Sequence, residues 1–444
     1  MKNTFIKIGL YAAAILSLGL LLSSCEDEPD KFELASGKPT VYYVRPMDVA
    51  KADSLLSGAY MGSNICIVGD NLRSVYKLLF NDQEATLNNS YITDHTILVT
   101  VPNEIPGEVS NTMYLINQAA DTVKFDFQVL VPGPVISSMS CEYAPVGSVA
   151  KLYGDYFVDD PNVPLKLYVG ETEAVIKSIS KGAIEFVTPN VANQPIKVTN
   201  IYGEATSVFH YRDARGILFN FDSDPHPAYH GWHKPNILGP DATSLDGKYL
   251  SIGTGAQTME GAGGSWDDSN FCLEYWPGDW DDPVTYADSP RLTDFADFSE
   301  WQDMALKFEM LIPSSNPWKA ASLQLIVGGV DKITGGTGKN DGVNDFEGNV
   351  IAGANNTFFN DDVLPRGLYT PWKATGSFDT GDEWITVTVP YSAFIYGVSG
   401  VPATGELTAA DFTSLTLFLY KGGQVGEDCN PIIKIDNIRA VPNK

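Results

Sequence analysis

Positive charge is scarce in this chain: 29 Lys and Arg stand against 55 Asp and Glu over 444 residues, a net −26. Without a basic stripe there is nothing to neutralise phosphates, which argues against nucleic-acid binding and disfavours anionic polymers. Helix-sized hydrophobic periods are nearly missing as well. The five Cys include no C-x-x-C spacing, which removes the usual metal and redox motifs. No G-x-S-x-G, H-E-x-x-H or Cys–His arrangement is present to support nucleophilic or zinc chemistry. Tryptophan is absent from the first 231 residues. What is plentiful is Gly (40), Pro (27), Tyr (21) and Phe (21), the composition of turns between aromatic-rich strands. With 44% hydrophobic and 19% charged residues the chain folds, and its length suits two or three domains. The expected class is all-β.

Lys2 and Lys7 precede an apolar run from Ile8 to Leu22 that ends in Leu22-Ser23-Ser24-Cys25. A basic start, a core of this length and small residues before a cut site read as a signal peptide over residues 1–24. The run is too short and too polar at its flank for a transmembrane helix. Its ending resembles the bacterial lipobox, in which the Cys, here Cys25, becomes the lipidated first residue. The acidic tether that follows (residues 25–37, opening Cys25-Glu26-Asp27-Glu28) resembles the signal sending Bacteroidota lipoproteins to the outer face of the outer membrane. Of the other cysteines, Cys66 lies in an apolar strand-like run and suits a core, and Cys272 and Cys429 would pair if placed on facing strands.

Residues 38–131 and 132–212 each read as short β-rich runs separated by turns, the pattern of a β-sandwich. They also read as copies of each other. Gly62 to Leu72 lines up with Gly147 to Phe157, Phe80 to Ala85 with Val169 to Ala174, and Ile97 to Pro102 with Ile184 to Pro189. Both resemble the IPT/TIG immunoglobulin-like domain. The second is the clearer match, opening Gly133-Pro134-Val135-Ile136 and carrying Gly154-Asp155-Tyr156-Phe157, whereas Met47 to Tyr60 looks like an insertion in the first.

All eight Trp fall between Trp232 and Trp384, within residues 213–444, which also hold 32 acids against 14 bases. Strands are expected at Ile217–Phe221, Lys248–Ile252, Phe271–Tyr275, Met304–Ile312, Ser322–Gly328, Glu383–Pro390, Ser414–Tyr420 and Ile432–Ile438. Ala305 to Met310 and Leu415 to Leu419 approach the alternation of half-buried strands. Two packed sheets of jelly-roll type fit this, and a TIM barrel does not, for want of helices. Trp384 sits on a strand and packs inward, and Trp301 suits core or surface equally. Trp266, Trp276, Trp280, Trp318 and Trp372 occupy polar, turn-like stretches and are expected on exposed loops. Exposed indoles suit a flat partner with apolar faces, such as a β-linked glucopyranose. Burying about 100 Å² of apolar area per stack contributes about 2.5 kcal/mol before ordering costs. The negative charge favours a neutral polysaccharide.

Lipobox, acidic tether, tandem IPT-like repeats and a Trp-rich last domain together resemble the surface glycan-binding proteins of Bacteroidota polysaccharide-utilisation loci. More narrowly, the stretch from Tyr369 through Trp384 and the closing Ile435-Asp436-Asn437-Ile438-Arg439-Ala440-Val441-Pro442 resemble the B-type members. The resemblance implies non-catalytic capture of xyloglucan, mixed-linkage glucan, laminarin or a related neutral glycan on an aromatic platform. Trp318, Tyr369 and Trp372 are the matches to that platform, with Trp276 and Trp280 as extensions. It further implies a lipid anchor in the outer membrane, and a TonB-dependent transporter complex and a surface glycanase as partners.

Three other constellations are weaker. His226, His230 and His233 are separated by Pro227 and Gly231, which argue against a helical zinc pair and for a loop beside Trp232. The acidic stretch Asp341 to Glu347 offers oxygen ligands suited to a structural calcium but does not follow the EF-hand pattern. Gly335 to Asn340 lacks the spacing of a phosphate loop. Two rival functions stand beside glycan capture. One is a glycosidase or lyase, since 32 acids do not exclude a catalytic pair. The other is a protein-binding adhesin.

Overall fold

A computed structural model of the chain describes residues 37–223, 235–267, 269–275, 290–328, 343–344, 350–351 and 362–444. Among them the architecture is all-β, and the helical elements are single 3-10 turns such as Leu72–Ser74 and Pro371–Ala374. Residues 1–132 and 133–444 form two compact units.

The first unit is a sandwich. One sheet orders Thr40–Pro46, Asn64–Asp70 and Thr96–Thr100; the other orders Gln83–Ala85, Val75–Phe80, Thr112–Asn117 and Thr122–Asp126. Every second residue of these strands points inward, so Ile65, Ile67, Leu78, Phe80, Met113 and Leu115 make one core. Within the stretch that looked like an insertion, Gly58–Tyr60 pairs in parallel with Gln128–Leu130.

The second repeat has the same plan and the same awkward corner. Its first two strands, Val135–Met139 and Val149–Asp155, slip register between Ile136 and Ser138, as the first repeat's do between Val41 and Tyr43. At both slips a glycine is required: a Cβ on Gly69 would lie 1.8 Å from the Thr40 oxygen, and one on Gly154 1.9 Å from that of Val135. Asn71 and Tyr156, equivalent in the alignment, both turn into the left-handed region (φ 56° and 57°), and the next side chains, Leu72 and Phe157, are buried. The repeats differ at one edge. Val175–Ser180 completes a four-stranded sheet by pairing with Ala183–Val187, whereas the equivalent Thr96–Thr100 meets only the bridge between Ile92 and Ile97 on that side.

The C-terminal part of the second unit is a larger sandwich. Its first sheet orders Asn236–Leu238, Tyr249–Ile252, Ile433–Pro442, Met304–Leu311 and Ile385–Pro390, with Ile217–Phe219 also on the Ile433–Pro442 strand. Its second orders Cys272–Tyr275, Ser414–Leu419, Leu323–Gly328 and Gly367–Tyr369. Leu306, Phe308 and Met310 from one sheet meet Leu323, Leu325, Leu415 and Leu417 from the other in a single core. The expected half-buried alternation of Ala305 to Met310 is found in residue type but not in burial, because all of Met304–Leu311 is buried. The polar alternates Lys307 and Glu309 leave the core face and are covered by the second repeat.

That covering is a closed ionic cluster. Glu142 of the second repeat accepts from Lys307 Nζ (2.7 Å) and from Arg439 Nη2 (2.7 Å). Arg439 also grips Glu309 with both terminal nitrogens, at 2.7 and 3.1 Å. Two carboxylates and two cations cancel, each inside a shell of further contacts: Arg439 lies over the Tyr143 ring at 4.9 Å and Lys307 over the Phe209 ring at 5.2 Å. Main-chain bonds align the parts. Thr386 donates its N–H to the Ser140 carbonyl (2.9 Å), and Glu142 N–H donates to Thr386 Oγ1 (2.6 Å). Trp384, expected to pack inward, lies instead on the outer side of its sheet, half-buried against the second repeat's core, its Nε1 donating to the Thr243 carbonyl at 2.9 Å.

Candidate functional site

The second repeat covers the outer face of one sheet, so the outer face of the other points away from it. Residues alternating with the core leucines there are Cys272 and Glu274 on the edge strand, Thr416 and Phe418 on its neighbour, and Gln324 on the next. A buried polar relay ties this face to the loop above it. Gln324 Nε2 donates to the Tyr420 carbonyl (2.5 Å) and the Val398 carbonyl (3.3 Å), while Arg366 Nη1 donates to Gln324 Oε1 (2.9 Å).

Phe418 and Tyr420 stack on one another, centroids 5.1 Å apart, and the Trp266 ring stands edge-on to both, at 5.0 and 5.2 Å. Trp266 is 44% exposed. Its loop is fastened at several points. Met259 and Cys429 exchange backbone hydrogen bonds of 2.8 and 3.0 Å, Lys421 N–H donates to the Gly263 carbonyl at 2.8 Å, and Glu260 N–H donates to Ser265 Oγ at 2.9 Å. Gly263 adopts φ 72°, and a Cβ there would lie 2.9 Å from Lys421 N, so only glycine lets the loop lie this close. Lys421 reaches over Tyr420 at 4.8 Å, adding a hydrogen-bond donor beside the rings. An indole held so pays little entropy on stacking against a ligand.

The expected platform residues fare differently. Trp318, Tyr369 and Trp372 do converge, with Trp318 and Tyr369 centroids 6.2 Å apart. The expected exposure of Trp318 and Trp372 is corrected, because both indoles are buried in the core cluster. Each polar handle is satisfied inside: Trp318 Nε1 donates to the Ala320 carbonyl (2.6 Å) and Trp372 Nε1 to that of Ala321 (2.8 Å). Trp318 is further locked by paired backbone bonds with Phe378 (2.8 and 2.9 Å), and Gly426 makes room for Trp372, since a Cβ there would lie 2.9 Å from its ring. Tyr369 is half-buried at the sheet edge, and burial pushes its hydroxyl up to about 12. It stays neutral and can donate as well as accept at physiological pH.

Trp301 is half-buried against Phe412, centroids 5.7 Å apart. Trp276 and Trp280 lie outside the described residues, as do Cys25, Trp232, the three clustered His and residues 335–340; of Asp341 to Glu347 only the Val343–Asn344 backbone is described, paired with Val350–Ile351. Among the described residues no group of three or more acidic, His or Cys side chains is arranged for a metal. Cys272 and Cys429 do not pair: both are free thiols, in separate packing environments. Cys272 packs with Phe418 and Tyr420 outside, and Cys429 against the inner core. Sequence reasoning missed the Phe418–Tyr420 pair, although an aromatic two positions from another on a strand was the available signal.

Comparison with known proteins bears on the whole chain. Residues 211–442 match the model of the surface glycan-binding protein B xyloglucan binding domain, and residues 54–127 and 134–211 match the IPT/TIG domain. The crystal structure of surface glycan-binding protein PbSGBP-B from Prevotella bryantii is 46% identical, with a TM-score of 0.78, covering 93% of this chain and 100% of that one. An IPT/TIG domain-containing protein of Bacteroides ovatus is 31% identical over 144 residues, 30% of this chain, which thus spans about a quarter (27%) of that relative's length. A sandwich carrying an anchored indole, matched over half the chain's length by one model and over nearly all of it by one solved structure, places this chain in the surface glycan-binding protein B family.

Proposed function

We propose that residues 213–444 capture a neutral β-glucan, xyloglucan or a mixed-linkage relative, and perform no chemistry on it. The match of residues 211–442 to a xyloglucan binding domain carries this function. The pinned Trp266 beside Tyr420 supplies one stacking surface and Tyr369 another ring with a neutral hydroxyl; Trp276 and Trp280 follow the edge strand Cys272–Tyr275 in sequence and extend the platform. Trp318 serves it from inside, packed against Tyr369, and Trp372 fills the same core. Three stacks at about 2.5 kcal/mol each approach micromolar affinity, about 8 kcal/mol, before ordering costs, and two give about 5 kcal/mol. The lipid on Cys25 holds the chain in the outer membrane facing outward, the repeats at 38–131 and 132–212 act as spacers, and a TonB-dependent transporter and a surface glycanase receive the captured chain.

Affinity electrophoresis of the whole protein in gels containing neutral polysaccharides tests this directly. Retardation by xyloglucan or mixed-linkage glucan, without release of reducing sugar, is the expected result. Migration unchanged in every glycan rejects capture and brings the adhesin forward, whereas released sugar makes the protein a hydrolase. Cys25→Ser should move the protein from the membrane to the soluble fraction.

A further inference from the structure

The first repeat differs from the second at the edge of one sheet, and that difference opens a groove. Where Val175–Ser180 closes the second repeat, the first leaves a hollow of about 510 Å³ beside Thr96–Thr100. Met47, from the stretch absent from the second repeat, and Tyr91 line it, and both are exposed (41% and 57%). Tyr91 ends the 3-10 turn Asn89–Tyr91, whose backbone is capped by Asn88 Oδ1 accepting from Ser90 N–H at 3.0 Å. Around this apolar pair stand Asn64, Asn88, Glu84 and Glu104. Asn64 spends its oxygen on Thr100 Oγ1 (2.7 Å), which leaves its amide nitrogen directed to other partners. No Lys, Arg or His lines the groove.

We infer that this groove is a second glycan subsite, taking a short stretch of a neutral, hydroxyl-rich chain, with Tyr91 and Met47 under one sugar face and the amides and carboxylates at its rim. The ligand class rests on the function proposed above; the site does not. Glu84 is paired with Lys77 Nζ at 3.0 Å, so the groove carries little net charge, and a neutral pyranose meets an apolar floor bordered by acceptors and donors. Through linkage, even a weak second contact on one long polymer adds avidity, because it is made at high effective concentration.

Hydrogen–deuterium exchange on the intact protein, with and without xyloglucan oligosaccharide and mixed-linkage oligosaccharide, tests the groove and the C-terminal domain in one measurement. Amides covered by ligand at about ten times Kd exchange about tenfold more slowly. The expected result is slowed exchange at residues 86–104, lost in Tyr91→Ala, kept in Tyr91→Phe, and accompanied by independent slowing within 213–444. Slowing confined to 213–444 overturns the groove and leaves the capture function standing. Slowing confined to 86–104 supports the groove and removes the C-terminal site. No slowing anywhere overturns both. Should an extended peptide, and not a glycan, protect Thr96–Thr100, the edge is a strand-docking site and the glycan subsite falls.

Discussion

The two immunoglobulin-like repeats share a strand plan, a bulge and its glycine, yet they put these to different ends. The first closes on its own core and leaves five tyrosines exposed, Tyr42, Tyr43, Tyr60, Tyr76 and Tyr91. The second exposes only Tyr153 to that degree and spends its polar end on Glu142, which locks onto Lys307 and Arg439. The fold of a repeat thus says little about whether it is a free spacer or half of a fused body. A buried carboxylate is at the centre of that difference, with main-chain and ring contacts around it. It is affordable only because two cations and Thr386 meet it.

Breaking the lock should have the largest effect. Arg439→Met leaves Glu142 and Glu309 with Lys307 alone, and removing one member of a buried ionic group costs about 3–5 kcal/mol. Because all eight Trp lie between Trp232 and Trp384, tryptophan fluorescence during denaturant unfolding reads the second unit, while thiol trapping at the buried Cys66 reads the first. The fluorescence midpoint should fall and Cys66 protection should not change. Trp372→Ala should lose a comparable 3–5 kcal/mol by the same fluorescence measurement, since it empties core volume. A variant that binds glycan poorly but unfolds normally would return Trp372 to the platform.

Core truncations sharpen the contrast between repeats. Leu167→Ala in the second and Leu78→Ala in the first both remove fully buried side chains, at about 2–5 kcal/mol each. Leu167→Ala should move the tryptophan transition, and Leu78→Ala should move only Cys66 trapping. A smaller effect is expected of Trp266→Ala, about tenfold in glucan affinity by calorimetry, 1.4 kcal/mol, with the unfolding midpoint unchanged. Loss of stability in place of affinity would make Trp266 a structural residue.

The last expected change is a pH slope of the second unit. Burial, with Asp246 beside it, pushes the Asp436 carboxyl up to about 9. Its folded value lies above the unfolded one, so between about pH 4 and 9 the folded state holds the extra proton. Asp436 therefore contributes stability at low pH that is lost as pH rises towards 9. Asp436→Asn should flatten that decline, raising the fluorescence midpoint relative to the parent by more at pH 8 than at pH 5. An unchanged slope would mean that Asp436 is ionised in the fold.

Much of the fold was legible because strands announce themselves by alternation. Glu383–Pro390 was expected and Ile385–Pro390 is found; Ser414–Tyr420 was expected and Ser414–Leu419 is found. The repeat was legible in equivalent glycines whose backbone conformation agrees, Gly62 and Gly147 at φ 75° and 82°. Burial of the loop tryptophans was not legible. Trp318 is flanked by Pro317 and Lys319, polar company that suggests exposure, but the loop turns its ring under the sheet and its neighbours outward. Local polarity reports which way most side chains of a loop face, not the one that plugs the core. Nor did Lys307 and Glu309 reveal that their apparently solvent face would be covered, since the residue covering them, Glu142, lies far away in sequence.

That distance governs the order of events during folding. Arg439 pairs in register with Ile217 and Lys307 and is the cation both Glu142 and Glu309 need. Pairings across more than two hundred residues form late, because chain closure must precede any reward. Until the Ile433–Pro442 strand enters the middle of its sheet, Glu142 has Lys307 but not Arg439, and Glu309 lacks the guanidinium that grips it in the finished fold. Completing the central strand and seating the second repeat therefore draw on one residue, so the two steps are coupled through Arg439.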